Sequence, residues 1–234
     1  MNLRSVLDLI FPTQCIQCKI HLDANNRVGA GVVCETCLES IPLGETLACG
    51  RCGARLPNAK RICHFDFPYV LGSATSYDNE IARKLIHTLK FDLVEGASKP
   101  LGNLLAAYAG RLPVDWETFE VVPIPLSKRR ERGRGFNQSL IIAEEFARRM
   151  SLRISHRILE RAKDGPPQSE LKGRAARQEN IRGCFRISES RKTIPRNVVL
   201  VDDVTTSGAT FFEAASVLKS LKVRRIIALA VAKA

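Results

Sequence analysis

Four apolar residues in a row, Val198 to Val201, stand between polar flanks and read as a strand buried on both faces of a parallel sheet. Past a loop of small hydroxyl residues, Phe211, Ala215, Leu218 and Leu221 return at helical spacing. The same period runs from Asn79 to Phe91. There Ile81, Leu85, Ile86 and Leu89 form one stripe, and Arg83, Lys84 and His87 fall largely outside it. Two further helices are predicted over Leu101–Leu112 and Gln138–Met150. Glu120–Leu126 reads as a short strand leaving through two prolines, and Arg225–Lys233 as the final strand. Strands alternating with helices predict an α/β domain with a mainly parallel sheet. At the start of the chain, Leu3, Val6, Leu7 and Ile10 predict a short amphipathic helix.

The polar stretches between these elements hold most of the candidate chemistry. SKRRERGRGFNQS, Ser127 to Ser139, is a basic loop after a strand and before a helix. Its arginines suit a diphosphate or a nucleic-acid track; the plain alternative is a solvated charge run. Its two glycines lack the third that a dinucleotide fingerprint needs, and no P-loop pattern occurs. Leu159 to Phe185 is sparse in apolar residues and turns sharply at Gly165–Pro167, as a lid over a site would. Cys184, with no partner cysteine nearby, reads as a small core residue.

The run at Val198 ends in two carboxylates, Asp202 and Asp203, followed by TTSGAT. Backbone N–H groups at such a strand–loop–helix turn suit a phosphate dianion, and Gly208 lets the backbone approach it. Thr205, Thr206, Ser207 and Thr210 add hydroxyl donors, and the carboxylates can accept from a sugar's vicinal hydroxyls. Donors for phosphate beside acceptors for hydroxyls describe a sugar-phosphate site. The alternative is an ordinary strand-end pair with one residue capping the helix.

Composition changes the picture in two places. A formal charge of +12 over 234 residues favours anionic partners, and the length holds one main domain with a small appended one. No apolar run approaches a membrane span, and no cleavage site follows the first apolar residues, so the expected location is cytoplasmic. Cysteines are the second place. Seven of the eight lie before residue 64, six of them as Cys15/Cys18, Cys34/Cys37 and Cys49/Cys52. The first four spell C-x2-C-x15-C-x2-C, a zinc-ribbon spacing. Cys63 would join Cys49 and Cys52 at a second site. His64 is the nearest fourth ligand, but adjacent ligands are awkward for one tetrahedral ion, so it reads rather as a polar loop residue. The pairs could also interleave. One or two structural Zn2+ ions would replace the hydrophobic core this region lacks.

The apolar strand, acidic pair and T-[ST]-G-x-T loop resemble the phosphoribosyl-diphosphate (PRPP) signature of type I phosphoribosyltransferases. Taken in order, the cysteine pairs, LIHTLKF, VVPIPL, RGRGFNQS, a glutamine-containing lid, R-x2-N-x2-G-x-F and VVLVDDVTTSGAT resemble the ComF family over nearly the full chain. The resemblance implies a phosphoribosyltransferase-like domain over residues 69–234 behind a double zinc-ribbon-like module over 1–68. It implies that Asp202 and Asp203 hold the ribose hydroxyls and are the catalytic pair, while Thr205, Thr206, Ser207, Gly208, Ala209 and Thr210 bind the 5′-phosphate. Lys128 and Arg129 would face a pyrophosphate bridged by Mg2+, and Arg161, Gln168, Arg177 and Asn180 would close over the site. The expected activity is transfer or binding of a 5-phosphoribosyl group to an open acceptor, linked to DNA uptake. The alternative is a PRPP-sensing or single-stranded-DNA-binding accessory protein, with DNA or a DNA-uptake helicase as partner.

Two departures qualify the resemblance. HFDF stands where the family usually completes the last cysteine pair, which puts the second zinc in question. Thr206 stands where purine-salvage relatives carry a carboxylate, which argues against simple 6-oxopurine chemistry.

Overall fold

The structure, a computed structural model, describes residues 13–23, 27–28, 31–56, 63–163, 182–188 and 193–234. The expected N-terminal helix lies outside the described residues. Near the start, β1 (Arg27–Val28) pairs antiparallel with β2 (Val33–Cys34), and α1 (Glu35–Glu39) follows directly. The main sheet takes seven strands: β3 (Leu47–Cys49), β4 (Arg55–Leu56), β5 (Val70–Ser76), β6 (Glu120–Pro123), β7 (Arg153–Ile154), β10 (Asn197–Thr205) and β11 (Arg225–Lys233). They lie in the order β4-β3-β5-β11-β10-β6-β7. From β5 to β7 every pairing is parallel; β3 and β4 are antiparallel. The remaining strands, β8 (Leu159–Arg161) and β9 (Phe185–Ile187), form a separate antiparallel pair.

Helices α2 (Glu80–Lys90), α3 (Ser98–Gly110) and α5 (Gln138–Met150) cover one face of the sheet, and α6 (Ala209–Ser220) covers the other. The β period divides the central strand between them. Val199 and Val201 pack with Leu85, Leu105 and Phe146, whereas Val198 and Leu200 pack with Phe211 and Leu218. All four strand residues are fully buried, which explains why this run shows no polar alternation. Helix α3 begins three residues before its expected start, with Pro100 in its first turn where a missing N–H costs nothing. Gly102 within it is a packing requirement, since a Cβ there would lie 2.6 Å from the Glu145 side chain of α5.

The stretch read as a basic loop contains a helix, α4 (Lys128–Arg134). Ser127 Oγ accepts from the Arg130 N–H at its start, and Gly135 ends it in the left-handed conformation at φ 84°. Both caps were visible as residue types, but the charge run hid the helix, which has no buried face to reveal it.

Connections leave β6 and β10 in opposite directions. From β6 the chain passes through α4 and α5 to β7 at the sheet edge; from β10 it passes through α6 to β11 on the other side. A crevice therefore opens at the carboxyl ends of these two neighbouring strands, where α/β sheets bind ligands.

Candidate functional site

That crevice is a cavity of about 580 Å³, lined at its floor by Asp202, Asp203 and Ile124. Strand β10 runs on through both carboxylates to Thr205 rather than stopping at Val201, so the pair alternates in direction. Asp203 Oδ2 pairs with Lys90 Nζ at 2.8 Å, from the last turn of α2. Asp202 Oδ1 accepts from Ser139 Oγ at 2.7 Å and from the Asp203 N–H at 2.9 Å. Ser139 is held in turn by the start of α5, where Asn137 caps the helix and its Nδ2 donates to Ile124 O, one residue past the end of β6. Burial, then the charge of Asp203 beside it, pushes the Asp202 carboxyl up to about 7, against the opposing pull of Ser139 and Lys90.

Arg130, Arg134 and Arg161 join Lys90 as the cations lining this cavity. Arg134 Nη1 donates to Gln138 Oε1 at 2.9 Å, tying the last residue of α4 to the first of α5. Lys128 instead lines a neighbouring cavity of about 420 Å³, with Glu131, Glu160 and Arg186, and Arg129 is among the lining residues of neither. The helical turn of α4 accounts for this, because residues 130 and 134 share a face that 129 does not. Arg161 lines both cavities from β8. Gln168, Arg177 and Asn180 lie outside the described residues.

Thr206 and Thr210 line the main cavity; Thr205 is buried at the end of β10. Ser207 Oγ accepts from the Ala209 N–H, and Gly208, at φ 75°, turns the chain into α6. An L-residue is strained at that φ, and a Cβ would in any case lie 2.4 Å from the Tyr69 hydroxyl. Arg130 and Arg134 belong to the basic stretch expected to suit a diphosphate; Lys90 and Ser139 were not expected, although they stand inside LIHTLKF and RGRGFNQS, which carry the ComF resemblance.

The cysteines form two clusters: Cys15, Cys18, Cys34 and Cys37, and Cys49, Cys52, Cys63 and His64. In each, the ligand atoms lie within 4.8 Å of one another. A thiolate-rich set at that spacing fits one tetrahedral Zn2+ apiece. The pairs do not interleave. Both clusters are built on the same turn: the N–H after the second cysteine, at Lys19 or Gly53, donates back to the first cysteine's carbonyl at 3.0 or 2.9 Å. Lys19 and Gly53 both have positive φ, 63° and 74°. The Cys34 and Cys37 N–H groups also donate to the sulfurs of Cys15 and Cys34.

His64 is corrected from a loop residue to a member of the second cluster. Its Nδ1 lies 3.4 Å from Cys49 Sγ and 3.3 Å from Cys63 Sγ. The imidazole arm is longer than the thiol arm, so neighbouring residues reach one centre from different heights.

Residues 6–65 match the double zinc ribbon domain family. Across 92% of its length the chain is 27% identical to competence protein F of Haemophilus influenzae, covering 95% of that protein. The ComF resemblance is borne out. DNA utilization protein YhgH of Escherichia coli K12 is 26% identical, over 90% of this chain and 92% of that protein. Competence protein ComFC of Bacillus subtilis is 36% identical over 43% of this chain and 38% of its own length. The ComF-like chain has no helix, among the described residues, long and apolar enough to cross a membrane.

Proposed function

We propose that the protein binds PRPP, with Mg2+ accompanying the pyrophosphate, and transfers its 5-phosphoribosyl group to an acceptor. The observation that carries this reading is the single cavity in which Asp202 and Asp203 meet Thr206, Thr210 and four cationic side chains. Carboxylates accept from the ribose hydroxyls, and the loop into α6 donates to the 5′-phosphate. Arg130, Arg134 and Arg161 then face the pyrophosphate, rather than the Lys128 and Arg129 that the family resemblance implies. As the C1–O bond to pyrophosphate breaks, positive charge grows on the ribose ring and negative charge on the leaving group. Fixed carboxylates near the first and guanidinium groups near the second stabilise that separation without reorganising.

A second reading, an accessory protein that binds PRPP or single-stranded DNA without turnover, is favoured by the names of the relatives and the +12 charge. In that reading the protein acts beside DNA in the cytoplasm, with a nucleic acid or helicase partner.

Calorimetric titration of PRPP with Mg2+, and of a labelled single strand, across a salt series separates the two. Saturable PRPP binding with a modest salt response is expected, against steep weakening for a strand that displaces several counterions. Arg134→Ala should weaken PRPP on the order of tenfold, from a lost charge-assisted bond, and more than Arg129→Ala does. Absence of PRPP binding, with tight strand binding that Arg134→Ala abolishes, would hand the cavity to nucleic acid. Wild-type binding without pyrophosphate release in the presence of candidate acceptors would favour the accessory role.

A further inference from the structure

The second cysteine cluster and the phosphate loop are joined by one side chain. Tyr69, just before β5, is buried and donates its hydroxyl to Gly208 O at 3.1 Å, across 139 residues of chain. The same carbonyl accepts the first helical bond of α6, from the Phe212 N–H at 2.9 Å. Two donors on one oxygen fix the Gly208–Ala209 peptide plane, and with it the direction of the N–H groups around the loop.

The other side of the Tyr69 ring lies against the cysteine cluster. Cys49 stands opposite Val70 in the β3–β5 pairing. Gly50 presses its backbone on the ring so closely that a Cβ would lie 2.8 Å from Tyr69 Cε2 and 2.6 Å from Phe67 Cε1. Phe67 packs at a tilt against Tyr69, centroids 5.1 Å apart, and against Phe212 at 5.3 Å, and its N–H donates to His64 O. Tyr69 also meets Phe211, at 6.1 Å. Ligands of the second cluster thus bracket an aromatic group whose far end holds the loop.

We propose that Tyr69 is a positioning residue for the phosphate loop and that metal held by Cys49, Cys52, Cys63 and His64 sets its position. Loss of that metal loosens the Cys49–Gly50 turn and the His64–Phe67 turn together, the Tyr69 hydroxyl drifts from Gly208, and the loop loses its fixed donors. The ligand affected is the 5′-phosphate end of a phosphoribosyl compound. That part rests on the proposed function; the mechanical link does not.

Two variants, Tyr69→Phe and Cys63→Ser, test it on the full chain with two readouts. Without ligand, hydrogen exchange of the amides from Thr206 to Phe212 should quicken in both. Zinc content should stay at two per chain in Tyr69→Phe and fall to one in Cys63→Ser. With ligand, ribose 5-phosphate and PRPP should weaken about fivefold in Tyr69→Phe, the effect of one buried hydrogen bond, while pyrophosphate alone is held as in wild type. A general loss of structure would weaken all three alike. Unchanged exchange at the loop in both variants overturns the coupling. Equal weakening of pyrophosphate overturns the positioning role. Wild-type protein that binds none of the three overturns the phosphoribosyl assignment, and the exchange result then decides the link by itself.

Discussion

Among single residues, Asp202 is held in a state that costs stability. Burial, and then the charge of Asp203, push its carboxyl up to about 7. A carboxyl raised above its unfolded value binds more protons in the folded state, so its contribution to stability falls as pH rises from about 4 to about 7. Asp202→Asn removes the like charge and keeps an oxygen to accept from Ser139. The expected result is a melting temperature at pH 8 higher by a few degrees, at about 2–4 °C per kcal/mol for a chain of this size. The acceptor form that a ribose hydroxyl needs is the ionised one. PRPP affinity of the wild type should therefore rise between pH 6 and 8 more steeply than that of Asp202→Asn. Matching melting temperatures and matching pH slopes for the two proteins would show that Asp202 is not strained by its neighbour.

Elements carry the next level, and the cysteine turns show it best. Each turn closes on a residue of positive φ and points its sulfurs at a common centre, while α1 supplies Cys37. Among the described residues before Leu47, only Leu22, Val32, Val33 and Ile41 join Cys15 and Cys34 as buried apolar side chains, at the margin of the core shared with the main sheet. So few side chains do not fix a fold by themselves, and metal ligation stands in for the missing core. Replacing Cys15 and Cys18 by Ser should release one Zn2+ of two and make residues 13–41 sensitive to protease, while β5 to β11 keep their protection. Metal analysis with limited proteolysis checks it. Retention of both ions in that double variant would mean the first cluster is not a metal site.

For the whole molecule, the main sheet does not stop at the expected boundary near residue 68. Strands β3 and β4, from the cysteine-rich part, pair onto the edge of β5. Tyr108 of α3 donates to Thr46 O at 2.8 Å and fills the space left by Gly44 and Gly72. A chain beginning at residue 69 would expose the backbone of β5 as a free edge and lose the partner of Tyr108. We expect that fragment to be poorly soluble and to melt well below the full chain, by scattering and thermal denaturation. A fragment as soluble and stable as the parent would establish 69–234 as an independent domain.

What depends on neighbours along the chain was legible in the residues alone. Apolar period placed α2, α5 and β11 nearly to the residue, and C-x2-C spacing picked out six of the eight clustered ligands, because each signal is local and repeats. The proposed sugar-phosphate loop after β10 was likewise visible, since strand, acidic pair and glycine turn occur within one short stretch. Which cations face that loop depends on the folded arrangement. Lys90, Arg130 and Arg134 come to it from three helix positions whose direction depends on how α2, α4 and α5 dock, and a run of arginines looks alike from either side. That arrangement likewise decided that His64 joins Cys49 and that Tyr69 reaches Gly208, contacts across 15 and 139 residues. Such closures are set by the packing of a whole sheet, and no local period in the chain encodes them.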